Sequence, residues 1–335
     1  MPLPFLIAGA VGAALWGAKK GFDAKEDFSV AESYNTEAQE IYEKAHKELD
    51  DAREQTQEKL VELGRIKANV YQKSLIPFVE TFKQIKNIDF KDKKIQEELQ
   101  LFGVISETDM KSVQEASFHA ADVLSAGTAA LGAGGLAGFG AFGGASLLAT
   151  ASTGTAISGL SGAAATNATL AWFGGGSVLT GGAGMAGGMA VLGGIVAGPV
   201  LLIGGMVMAS KAEAARADAY ANLLKAKAAV EEMETAATAV RGIRKRVKEI
   251  SKVLKRLDDP FRDLLYSLKD LVAHSTHYPS YSEEDKKGLM MSVLFAKTLK
   301  NLMETPVIDE EGAVTQASRR SLQEAQQVLT KIDGF

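Results

Sequence analysis

Residues Val123–Ser210 read VLSAGTAALGAGGLAGFGAFGGASLLATASTGTAISGLSGAAATNATLAWFGGGSVLTGGAGMAGGMAVLGGIVAGPVLLIGGMVMAS. None of these 88 residues carries a charge, and they hold 24 of the 34 glycines. Glycine weakens a helix in water by up to about 1 kcal/mol relative to alanine, so the composition suits a free-standing soluble helix poorly. In lipid or in a tight bundle, the same small residues let backbones approach closely. Glycines four apart recur as Gly134/Gly138, Gly140/Gly144, Gly184/Gly188 and Gly194/Gly198, the spacing of helix-packing contacts. Three apolar pieces are expected, over 123–150, 157–173 and 185–209. Gly174, Gly175 and Gly176 form a hinge between the second and the third. The third piece is long enough to cross a bilayer at a tilt, with Pro199 as a kink that lipid-embedded helices tolerate. Residues 123–210 are therefore expected to be a membrane-active region.

Upstream, residues 21–122 make a polar arm. Ala38, Ile41, Ala45, Leu49, Ala52, Leu60, Leu63, Ile66 and Val70 recur at spacings of mostly 3 and 4, which predicts one long amphipathic helix. It is expected to stop or kink before Pro77. Shorter helices follow, broken near Asn87-Ile-Asp-Phe, and Ser106-Glu-Thr-Asp supplies an N-cap for a helix leading into the run.

Downstream, residues 211–275 form a second arm. Its seam passes through Leu223, Ala226, Val230, Met233, Ala237, Val240, Val247, Ile250, Leu254 and Leu257, with a phase slip near Ile243. Asp259-Pro260 predicts the start of a new helix there. Residues 276–335 read as a small helical cap, with Ser282 as an N-cap, a turn over 307–314 and a last helix over 317–332. Eight basic residues and one acid fill 241–256, against nine acids and four bases over 37–62. Arg241, Arg244, Lys245, Lys248, Lys252, Lys255 and Arg256 thus serve either pairing of the two arms or an anionic lipid surface.

Residues 1–20 begin with an apolar N-terminal helix of about 24 Å whose positive charges, Lys19 and Lys20, come after it. That order differs from a secretory signal and predicts retention, a chain made in the cytoplasm without a cleaved leader and associated with membrane, with a soluble precursor form allowed. A net charge of -4 offers no general attraction to nucleic acid, and the absence of cysteine excludes thiolate chemistry and disulfides. Gly182-Ala-Gly184-Met-Ala-Gly187 matches a dinucleotide fingerprint, but no alternating strand precedes it and no acid follows near position 207. His274 and His277 lie one turn apart without a third ligand, and no histidine lies in the run to activate its hydroxyls. The expectation is a non-enzyme with no cofactor, no metal and no small-molecule substrate.

The fold class expected is all-α: long antiparallel helical bundle or coiled-coil arms flanking a glycine-rich hydrophobic hairpin. In outline the plan resembles the α-helical pore-forming toxins of the cytolysin A and haemolysin BL type, where a hydrophobic head interrupts long helices. It is also similar to the apolipoprotein L arrangement of amphipathic helices around a Gly/Ala-rich hairpin. Ser152–Trp172 looks like a block recurring in uncharacterised bacterial glycine-zipper proteins. The resemblance implies homo-oligomerisation and permeabilisation of a lipid bilayer, although the uncharged run is longer than a toxin head hairpin. The alternative is a membrane-anchored scaffold whose apolar centre forms an oligomer core.

Overall fold

The computed structural model describes residues 20–103, 105–124, 132–142, 212–309 and 312–333. Among them the protein is all-α, with two isolated β-bridges, Lys86 with His277 and Ile308 with Val314, as the sole extended pairings. The apolar N-terminus before Lys20, the hinge glycines and the transmembrane candidate over 185–209 lie outside the described residues. No helix among the described residues is long and apolar enough to cross a membrane.

The helices are α1 (Lys20–Val70), α2 (Ile76–Phe82), α3 (Lys93–Glu98), α4 (Glu107–Leu124), α5 (Gly132–Phe142), α6 (Ala212–His274), α7 (Glu283–Glu304) and α8 (Gln316–Asp333). The chain divides into two compact units, Met1–Glu48 with Pro199–Glu234, and Leu49–Gly198 with Thr235–Phe335.

In the first unit a seam of small residues joins α1 to α6. Ala31, Ala38 and Ala45 are buried on α1, and Ala219, Leu223, Ala226, Ala229 and Met233 on α6. Alanine at a contact lets helix axes approach to the short end of the usual 8–10 Å range. The rings of Tyr34 and Tyr220 lie 5.5 Å apart beside it. Asp27 pairs with Arg216 at 3.1 Å and Glu37 with Lys227 at 3.0 Å. Both partners advance together along the chain, so here the arms run parallel.

The same direction holds in the second unit. The Thr56 hydroxyl lies 3.3 Å from the Val240 carbonyl, Arg244 donates to the Gln55 side chain, and Lys255 pairs with Glu62 at 3.6 Å. This corrects the expected antiparallel bundle. A 3-and-4 seam reads the same from either end, and only the cross-helix pairs reveal its direction. The seam on α6 also takes Ala229, with Val230 half-buried beside it, and passes through Ile243 without a lost contact.

Two prolines behave differently. Ahead of Pro77 the helix widens into a π-turn, Tyr71–Leu75, in which the Ile76 N–H donates to the Tyr71 carbonyl; Pro77 then occupies the first turn of α2, where its missing donor costs little. Pro260, expected to open a new helix after Asp259, instead lies inside α6. Leu257, Phe261, Leu265 and Leu268 are all buried at unbroken helical spacing around it. Phe261 meets Phe78 at 5.3 Å and Phe295 at 6.4 Å between ring centroids, and this buried aromatic contact outweighs a local signal worth about 3 kcal/mol.

The expected caps form. Ser106 and Ser282 each make a reciprocal capping box with the aspartate three residues on, Asp109 and Asp285. The break near Asn87 is a left-handed residue with φ 61°, and its amide lies 3.3 Å from the His277 ring. Helix α7 packs on α3, α4 and α8, and its buried face from Leu289 to Met303 belongs to the same core as α1, α4 and α6. The turn over 307–314 has Gly312 at φ 82°.

Candidate functional site

The described part of the glycine-rich run includes α5, eleven residues reading GAGGLAGFGAF. Five glycines make it a poor helix by propensity, so tertiary contacts must hold it. Its buried residues Leu136, Ala137, Gly138, Phe139, Gly140 and Ala141 face the helical body.

Two glycines permit this seat. A Cβ on Gly140 would lie 2.2 Å from the Leu60 carbonyl oxygen of α1, and a Cβ on Gly64 would lie 2.0 Å from the Leu136 carbonyl oxygen of α5. Each helix therefore presses backbone against the other's glycine, and α5 runs antiparallel to α1 at the crossing. No other residue fits at either position without displacing main chain.

Lys67 closes the end of this contact. Its side chain is fully buried, and its Nζ donates to the Gly140 carbonyl at 2.9 Å and the Phe139 carbonyl at 3.2 Å. The ammonium also lies 5.9 Å from the centroid of the Phe139 ring, against which Tyr71 packs at 6.2 Å. Phe139 and Gly140 lie in the last described turn of α5. The Val307 N–H satisfies a third carbonyl there, donating to that of Ala141 at 2.6 Å. Among the described residues no carboxylate pairs with Lys67. Burial alone pushes its ammonium down to about 7. One turn further on, Gln72 donates to the Leu124 carbonyl at 3.3 Å, where α4 ends and the uncharged run begins.

Of the residues singled out in the sequence, Gly140 lies at the crossing, Gly138 is buried in α5 and Gly134 lies within its span. Gly144, Gly174, Gly175, Gly176, Gly184, Gly188, Gly194, Gly198 and Pro199 lie outside the described residues. The structure divides the seven basic candidates. Arg244 and Lys255 reach the first arm, at Gln55 and Glu62. Lys245, Lys248 and Lys252 are exposed along one side of α6, at helical spacing, and make no ion pair among the described residues. Arg241 and Arg256 are exposed on that side and each has a partner.

Two residues central to this site, Gly64 and Lys67, escape a reading by periodicity. Gly64 carries a usable signal, a lone glycine inside an otherwise strong helix, which marks a close backbone approach. Lys67 carries none, because α1 is full of lysines that do face water. Among the described residues no group of three His, Asp or Glu could hold a metal, and His274 accepts the ordinary task of bonding the Asp270 carbonyl at the end of α6. No protein-family profile, curated protein or solved structure matches the chain.

Proposed function

We propose that this chain is a non-enzymatic, membrane-inserting protein, whose helical body stores a glycine-rich apolar segment and delivers it into a lipid bilayer, where copies associate and permeabilise it. The observation that carries the reading is the seating of α5. An uncharged helix of marginal propensity is held by two glycine-to-backbone contacts and hydrogen bonds from Lys67 and Val307, with no ion pair of its own to break on leaving. The 88-residue uncharged run to which α5 belongs has no ionised side chain to desolvate on entering lipid, and helix formation satisfies its backbone. The likeness in plan to helical pore-forming toxins agrees with this.

Lys245, Lys248 and Lys252 suit the first encounter with an anionic headgroup layer, each contributing about 1 kcal/mol near such a surface. The test is flotation with dye-loaded vesicles of phosphatidylcholine alone or mixed with phosphatidylglycerol. The chain is expected to float with the anionic vesicles and release their dye. Reversing the three lysines together to glutamate should lower the apparent affinity by roughly a hundredfold or more, with the circular dichroism melt unchanged. Equal binding to both vesicle types, before and after charge reversal, would remove the basic face from the account. A scaffold with a permanent anchor would instead pellet with membranes at all times, without a soluble form.

A further inference from the structure

Among the described residues, three hydrogen bonds tie α5 to the rest of the body, and all three meet its C-terminal turn: two from Lys67 and one from the Val307 N–H. We infer that Lys67 is a latch, holding the C-terminal end of α5 against α1 so that its release frees α5 from the helical body. The latch rests on the membrane reading only for its consequence, since the contact itself concerns α1 and α5 alone.

The geometry gives the latch two opposing contributions. Docking buries Leu136, Phe139 and Ala141 and lets Lys67 bond two α5 carbonyls, which favours the closed state. It also strips an ammonium of water with no counter-ion among the described residues, a cost recovered whenever α5 leaves. A leucine or methionine at position 67 would hold α5 by apolar contact without this opposition. A lysine makes the closed state conditional.

The condition is the proton on Lys67. Helix α5 contributes no ionisable group to its surroundings. On its own helical path the neighbour is Tyr71, whose phenol is pushed up by burial and then by Glu304 of α7, so it stays neutral. Among the described residues no charge acts on Lys67 beyond its own burial. The docked state therefore favours the amine, which retains N–H donors for both carbonyls. With a docked value of about 7 against an ordinary value of 10.5, the undocked state holds more protons between those limits. Docking strengthens as pH rises through this window and is flat below it.

The chain has no cysteine, so a single engineered thiol reports on α5 without background. Ala137→Cys places it on the wholly buried face of α5, and Ser267→Cys on the exposed side of α6 serves as reference. Alkylation of the whole 335-residue chain by iodoacetamide is followed at pH 7, 8 and 9, each rate divided by that of the reference. Protection of Cys at 137 is expected to rise roughly five- to tenfold per pH unit with Lys67 present, and to lose this dependence in Lys67→Met. Protection that ignores pH in the Lys67 chain, or responds equally in Lys67→Met, overturns the latch and leaves the membrane reading to its own vesicle test. If Lys67→Met does not fold, as judged by circular dichroism, the pH series in the Lys67 chain decides alone.

Discussion

A leucine in place of Gly64 will expel α5 from its seat on α1. The first carbon of any side chain there would lie 2.0 Å from the Leu136 carbonyl oxygen, and that oxygen belongs to main chain that cannot rotate away. The helices must separate by several ångströms, which uncovers Leu136 and Phe139 and removes Lys67 from the Phe139 and Gly140 carbonyls. Exposing one Leu and one Phe costs about 3–6 kcal/mol before any lost hydrogen bond is added. Urea unfolding should show a fall in stability of about that size. Gly242 and Gly288 supply the contrast, because a Cβ at either meets nothing within 4 Å. Alanine at those two helical positions should raise stability by about 0.5–1 kcal/mol each. If Gly64→Leu melts like the parent chain, α5 does not dock at this crossing. The substituted chain should also release vesicle dye sooner after mixing, since α5 begins undocked.

The second large effect belongs to α6. Leu254 and Leu257 are fully buried in the seam that joins α6 to the rest of the core. Replacing both by aspartate forces each carboxylate either to lose its water or to take up a proton, on top of the lost leucine packing, at several kcal/mol per site. The sum reaches the whole stability of an ordinary domain, about 5–15 kcal/mol. The cooperative circular dichroism melt should disappear at 20 °C. A melt that survives at its original temperature would mean that this face of α6 is not the one in the core.

These two predictions mark what could be read from residue order and what could not. Helix type and extent on both arms follow from 3-and-4 spacing, because an amphipathic face has to find a partner, and the spacing carries that need directly. Ser106 and Ser282 were legible because a capping box is a local device, complete within four residues. The direction in which the arms pair was not legible, since seam spacing has no polarity; Asp27 with Arg216 and Glu37 with Lys227 decide it in space. Pro260 misled for a related reason. Its local preference for a helix start is real, yet the packing of Phe261 between Phe78 and Phe295 overrides it from residues far away in sequence. The glycines of α5 suggested close helix packing, and Gly140 packs closely against α1. Lys67 stayed hidden because burial of a cation leaves no trace in composition.

In the proposed function the uncharged run is cargo for a bilayer, packed by its glycines once it arrives. Dye release from anionic vesicles, measured for the parent chain and for the Gly194→Leu/Gly198→Leu variant, addresses it most directly. Rapid release is expected from the parent and at least a tenfold slower release from the variant, whose bulky side chains keep helices apart in lipid. Vesicles that stay sealed with the parent chain, or leak equally with both, would contradict it.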